Sequence, residues 1–200
     1  MSVESDELLG SVVLDQAALL LLEAAEFFRT HNPPKYKAAI KCVRYHGMKE
    51  AGSSYVSYRV EIACLLAEAY LQIKALEPAK QLLRQESAHS RDFPVSHARI
   101  LFLLAETHAL MNDWNNASEI VDAGALQFGQ LGDPALECYF RLSSAMIVSM
   151  DLNREEELTK RITEVSNKLE AVSADNPCLD YMKAYCYVVQ ICFFISTGQM

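Results

Sequence analysis

The segments ACLLAEAYLQIKALEPAKQLL (63–83) and LFLLAETHALMNDWNNASEIV (101–121) carry one pattern written twice. Superposed, Leu66 meets Leu104, Ala67 meets Ala105, Tyr70 meets His108, Ala79 meets Ala117 and Leu83 meets Val121, each pair 38 residues apart. Residues three and four apart share a helix face, so Ala63, Leu66, Ala67 and Tyr70 form one stripe. The break at 75–78 is expected to end that helix through Pro78, since proline suits a first helical turn and not an interior. Ala79 and Leu83 then share a face of the following helix. Alanine at Ala67 and Ala79 lets two helices cross at close range. A helical hairpin recurring at this spacing is the mark of a repeat, with a period slightly longer than the tetratricopeptide unit. The packing positions are therefore Ala67, Tyr70, Ala79 and Leu83 in one copy and Ala105, His108, Ala117 and Val121 in the next.

Outward from this core, the chain reads as helix after helix. A first helix is predicted over 15–30, capped by Asp15, with Ala18, Leu21, Leu22, Ala25 and Phe28 facing inward. The sequence HNPP (31–34) forces a turn. A second helix over 34–45 presents Tyr36, Ala39, Ile40 and Val43, and GMKEAGSS then breaks the chain. Further helices are predicted over 55–73, 78–89, 95–111, 114–127, 134–150, 154–172 and 178–196. The expectation is one all-α domain over 1–200: a TPR-like, right-handed α-solenoid of antiparallel hairpins (about 15–46, 55–90, 95–128 and 134–172) and about nine helices. The last helix, 178–196, has no partner. Its apolar face would stay wet, so the sequence predicts a chain that continues beyond Met200.

The composition agrees with this class. The chain has 200 residues, 51% of them hydrophobic, with only 7 glycines and 6 prolines, which argues against disorder and against a turn-rich β fold. The net charge of −8 disfavours direct binding to phosphate backbones. None of the six cysteines (Cys42, Cys64, Cys138, Cys178, Cys186, Cys192) is spaced as CxxC, and buried thiols in a reducing compartment are the simple account. The acidic start MSVESDELLGS is no signal peptide, and the apolar run 17–22 is too short to span a membrane.

Catalytic and metal-binding patterns are absent from the sequence. The five histidines form no HxxxH or HxH pair, and His97 and His108, about 16 Å apart on one helix, cannot share an ion. His108 replaces Tyr70 in the repeat and reads as a packing residue. Ser143 and Ser144 lie mid-helix without a nucleophile elbow. Glu155–Glu157 open a helix, where the dipole favours negative charge. Trp114 follows a turn and is expected to staple its hairpin. No enzyme, cofactor or metal is expected.

The first helix and its turn, LLEAAEFFRTHNPPKYKAAIKCV, carry a further signal. Ala25, Glu26, Phe27, Phe28, Arg29, Thr30, Pro33 and Pro34 match a run that opens the small TPR subunit of the cohesin loading complex. The similarity continues through LLAEAY (65–70), AKQLLR (79–84), RILFLLAETHAL (99–110) and the ending ISTGQM. The chain resembles the N-terminal third or so of that family, although between Cys42 and Tyr58 it lacks what looks like an extra helical pair. The resemblance implies a non-enzymatic scaffold that wraps the extended N-terminal segment of the large HEAT-repeat loader subunit. It also implies a nuclear, chromatin-associated role, with the cytoplasm left open, in cohesin loading and sister-chromatid cohesion, and no direct contact with nucleic acid or membrane.

Helical geometry nominates the groove positions. If Leu66, Ala67 and Tyr70 point into the hairpin, Glu61, Cys64, Glu68 and Leu71 turn to the concave side. The same register gives Arg99, Phe102, Glu106 and Ala109, then Cys138, Arg141, Ala145 and Val148. Of these, Glu61, Cys64, Glu68, Arg99, Phe102, Glu106, Arg141 and Ala145 are the candidate partner contacts, and Glu68 and Glu106 recur at one register where they could meet a basic peptide. They read equally well as ordinary solvated charges. Two other classes stay open: a TPR-like adaptor of a coat or proteasome-lid type assembly, and an RNA-reading repeat, which recurrent glutamates disfavour.

Overall fold

A computed structural model describes residues 20–47, 56–150 and 154–197. These form an all-α structure with no strand among the described residues. Helix α1 covers 20–30; α2 (Tyr36–Gly47), α3 (Val56–Gln72), α4 (Leu76–His89), α5 (Pro94–Leu110), α6 (Trp114–Gln130), α7 (Pro134–Ser149), α8 (Glu155–Leu169) and α9 (Leu179–Thr197) follow. The expected Asp15 cap, Ala18, the GMKEAGSS break and the ending at 198–200 lie outside the described residues. So does most of the stretch in which a helical pair is expected to be missing.

The helices fall into two compact units, divided between Leu103 and Leu104 inside α5. In the first unit, Ala25 of α1, Ala39 and Val43 of α2 and Ile62 of α3 make a buried cluster, with Leu22, Phe28, Cys42 and Leu66 packed around it. Small residues at Ala25 and Ala39 allow the helices to approach closely. The connecting turn folds back through a bond from the Lys35 N–H to the Phe28 carbonyl at 2.8 Å, and its Asn32–Pro33 peptide is cis. In the repeat, Ala67, Ala79 and Leu83 have no accessible surface, while Tyr70 is half-buried.

The second unit has two apolar clusters. Cys138 and Leu142 of α7 pack with Val165 and Leu169 of α8 and with Met182 and Cys186 of α9. Ala145 and Val148 meet Leu158 and Val189 one turn further along. On the other side of α7, Phe140 stacks on Phe128 of α6, ring centroids 5.3 Å apart. Ala105, His108, Ala117 and Val121 are all buried in this unit.

Three helices stop in the same way, and for a reason other than proline. At the end of α3 the Ala75 N–H donates to the Tyr70 carbonyl at 2.9 Å and the Lys74 N–H to Leu71 at 2.9 Å. At the end of α5 the Asp113 N–H donates to His108 and the Asn112 N–H to Ala109, both at 2.9 Å. At the end of α6 the Asp133 N–H donates to Phe128 and the Gly132 N–H to Gly129. This nested pair of bonds needs one residue in the left-handed region. Lys74 (φ 58°), Asn112 (φ 59°) and Gly132 (φ 74°) supply it. Pro78, expected to be the stop signal, instead sits inside the first turn of α4, where its missing N–H is harmless. Asp113 and Asp133 then cap the next helices, accepting from the N–H groups of Asn116 and Leu136.

Candidate functional site

On α3, Glu61 and Glu68 stand seven residues apart, two helical turns, and so share a face. Arg99 of α5 reaches both. Its Nε and Nη2 donate to Glu68 Oε1 at 3.1 and 2.7 Å, and its Nη1 donates to Glu61 Oε1. Burial disfavours the Arg99 cation, yet its bonds to Glu68 and Glu61 outweigh this and hold its pKa above the ordinary arginine value. On α1, Arg29 grips Glu26 with two bonds of 2.8 and 2.6 Å. The hydrogen bond from Arg29 is the main cause that holds the Glu26 carboxyl below its usual range, and the charge of Arg99 adds to it. Glu26 and Arg29 also edge a shallow dent lined by Ala25, Ala39, Val43, Leu65 and Ala69. The first unit thus displays a surface of alternating acid and base, half-exposed and internally paired.

Cys64 lies on the same helix as the two glutamates but has no accessible surface. Burial, with a small opposing pull from Arg99, pushes its thiol up to about 12. Ala145 of the second unit is likewise fully enclosed, against Val189 of α9. These two expected groove residues are packing residues. Their faces are covered by neighbouring helices, which the period of a single helix cannot show. Leu71, Cys138 and Val148 are buried for the same reason. Glu106 is exposed, and Phe102 and Arg141 are half-buried.

The second unit carries two polar clusters that single-helix patterning does not reveal. Glu137 of α7 accepts from Arg141 Nε at 2.8 Å and lies 2.7 Å from Lys168 Nζ of α8. Arg161 of α8 donates to both oxygens of Asp122 on α6, at 2.7 and 3.1 Å, to Glu157 and to the Ser144 hydroxyl. Ser144 in turn donates to Asp122 at 2.6 Å. A serine in a small-residue slot thereby links three helices. The only hint in the sequence is polarity at a position where the other copies have alanine.

Among the described residues neither unit shows a reactive constellation. Ser90 Oγ lies 2.7 Å from His97 Nδ1, which resembles a nucleophile and its base. Both residues are buried, with Ser90 at 0% exposure, and Ser90 closes the end of α4, so no substrate reaches them. His108 Nδ1 lies 2.8 Å from Asp113 Oδ2, which braces the turn between α5 and α6. Trp114 is 41% exposed at the start of α6. Among the described residues no group of three or more His, Cys, Asp or Glu could hold a metal, and no helix is long and apolar enough to cross a membrane.

Comparison with known proteins gives one consistent set of relatives. The chain is 25% identical to a MAU2 chromatid cohesion factor homolog of Aedes aegypti, and 24% identical to those of Drosophila virilis and Drosophila willistoni. Each match covers 93% of this chain. The chain spans only 36%, 36% and 34% of the relatives' own lengths. The mosquito alignment runs over 225 residues and takes in 93% of the 200 in this chain, so roughly 40 of its positions have no counterpart here. No model of a known protein family matches the chain, and no solved structure gives a significant match. The resemblance read in the sequence holds against these relatives.

Proposed function

We propose that this chain, a relative of the MAU2 chromatid cohesion factors over 93% of its length, is a non-enzymatic scaffold of the cohesin loading machinery, serving sister-chromatid cohesion in the nucleus. The observation that carries this reading is the match to relatives named chromatid cohesion factor homologs. Helical units with paired surface charges suit such a role, because hairpin repeats present ordered faces to a partner without chemistry of their own.

The finer reading is that the chain holds the extended N-terminal segment of the large HEAT-repeat loader subunit. The partner contacts are Glu61, Glu68, Arg99 and Phe102 in the first unit, and Glu106 and Arg141 in the second. Glu61 and Glu68 are already bonded to Arg99, so a basic peptide there competes with an internal cation. Glu106 is exposed, within reach of an incoming Lys or Arg.

Affinity capture with the N-terminal segment of the loader large subunit tests this directly. The intact chain should be retained, and Glu106→Lys should weaken retention while circular dichroism shows the chain still folded. Capture of a different large partner from nuclear extract, with no retention on the loader segment, would replace this reading with an adaptor role in another assembly. Tight, salt-sensitive binding of the isolated chain to RNA would overturn the protein-scaffold reading altogether.

A further inference from the structure

We propose that the outward arc of α2 is a docking surface for an acidic peptide segment of another protein. Lys37, Lys41 and Arg44 stand four and three residues apart, which places them within an arc of about 60°. All three are exposed, while the other side of the helix is committed to the core through Ala39, Ile40 and Val43. The helix contains no Asp or Glu. Among the described helices it alone carries a net positive charge, in a chain whose total is −8. Elsewhere Arg29 is bonded to Glu26, Arg59 to Glu86, Arg99 to Glu61 and Glu68, and Arg161 to Asp122. No ion pair among the described residues involves Lys37, Lys41 or Arg44. On α1 and α3, which pack against α2, arginines hold Glu26, Glu61 and Glu68, so only Glu23 is left to face three cations.

Spacing and charge select the occupant. Along the helix axis Lys37 and Lys41 lie about 6 Å apart, and the three cations cover about 10 Å. In an extended peptide, side chains on one side recur about every 6.7 Å. Alternate acids therefore meet Lys37 and Lys41, and the long Arg44 side chain reaches the next. A nucleic-acid duplex fits poorly, because it is broad and stiff. Taking these three cations from −8 leaves −11 on the rest of the chain, which a duplex would have to approach. A narrow peptide touches the stripe alone. Single exposed ion pairs are weak and screened by salt, so the surface suits a run of acids that engages all three cations together.

Fluorescence anisotropy of a labelled peptide alternating Glu and Ser, titrated with the full chain, tests this. Binding is expected at about 50 mM salt and should weaken about threefold or more by about 200 mM. The same peptide with Gln in place of Glu should not bind. Lys41→Glu should lower the affinity about fivefold or more, and adding Lys37→Glu should abolish binding. Both positions are exposed, and Lys37 lies in the first turn of α2, where the dipole favours a carboxylate, so circular dichroism should match the parent. The pair Lys37→Gln and Lys41→Gln, which brings in no new charge, should give an intermediate loss. Lys183→Glu, at an exposed cation on α9, should change nothing. A parent that does not bind the acidic peptide would overturn the proposal. So would an equal loss in Lys183→Glu, or binding that survives both α2 substitutions. Tighter binding to duplex DNA than to the peptide would overturn it in favour of nucleic acid. The cohesion reading rests on other residues and stands whichever result is found.

Discussion

Glu61 and Arg99 occupy the same register of two successive repeat copies, and their side chains are bonded to each other. The position is acidic in one copy and basic in the next. Repetition of the backbone therefore brings opposite charges together without any special loop. Glu68, one register further along α3, completes the clasp.

Replacing Arg99 with alanine removes the cation from two carboxylates at once. Because the Arg99 side chain is 34% exposed, solvent compensates in part. The expected loss is about 1–2 kcal/mol, below the full value for charge-assisted bonds. Urea unfolding of Arg99→Ala, Glu68→Gln and the double variant should show coupling between the two sites. Strict additivity would mean that the bond contributes nothing.

The three left-handed turns make a graded experiment. Lys74 adopts φ 58° with a full side chain, a conformation that costs a non-glycine residue roughly 1 kcal/mol. Lys74→Gly should therefore raise the melting temperature despite the added freedom of the unfolded chain, whereas Gly132→Ala should lower it. Asn112→Gly should change little, since asparagine tolerates this region. A drop in stability for Lys74→Gly would show that the lysine side chain holds the turn.

Gly124 reverses the usual helix rule. In most helices Gly→Ala stabilises by up to about 1 kcal/mol. Here a Cβ would fall 2.4–2.9 Å from the Phe140 ring, which is stacked on Phe128. The ring must move, so Gly124→Ala should destabilise by about 1–3 kcal/mol. Guanidinium melts monitored by circular dichroism would show the sign.

Acid should loosen the second unit through Glu137. Burial pushes its carboxyl up, but the hydrogen bonds from Lys168 and Arg141 outweigh that and leave it below the usual value of 4.5. A depressed carboxylate contributes its stability above the unfolded value, and loses it as pH falls through the lower native value. Urea midpoints should hold from pH 7 to about 5 and then fall. In Glu137→Gln the fall should be shallower and start from a lower plateau. An identical pH profile in the variant would remove Glu137 from the account.

Much of this molecule is legible along the chain. Ala67, Ala79, Leu83, Ala105, Ala117 and Val121 are all buried where the repeat stripe lies. Asn112 and Gly132 sit at breaks that their residue types announce. Lys74 does not announce itself, because lysine has no preference for a left-handed turn, and Pro78 draws the eye to the wrong residue. Cys64 and Ala145 look like groove positions on their own helices and prove enclosed by neighbouring ones.

The division follows from the range of the forces. Apolar side chains at helical spacing, turn-forming residues and the absence of a catalytic pattern are properties of neighbours in the chain. They determine that it forms paired helices, and most of the places where these break. Which charges meet is different in kind. The Arg99 clasp on Glu61 and Glu68, and the Arg161 bridge from Asp122 to Ser144, depend on helices approaching within a side chain's reach across 17 to 39 residues. Only packing sets that distance, so only the folded chain shows which carboxylates are already held from within.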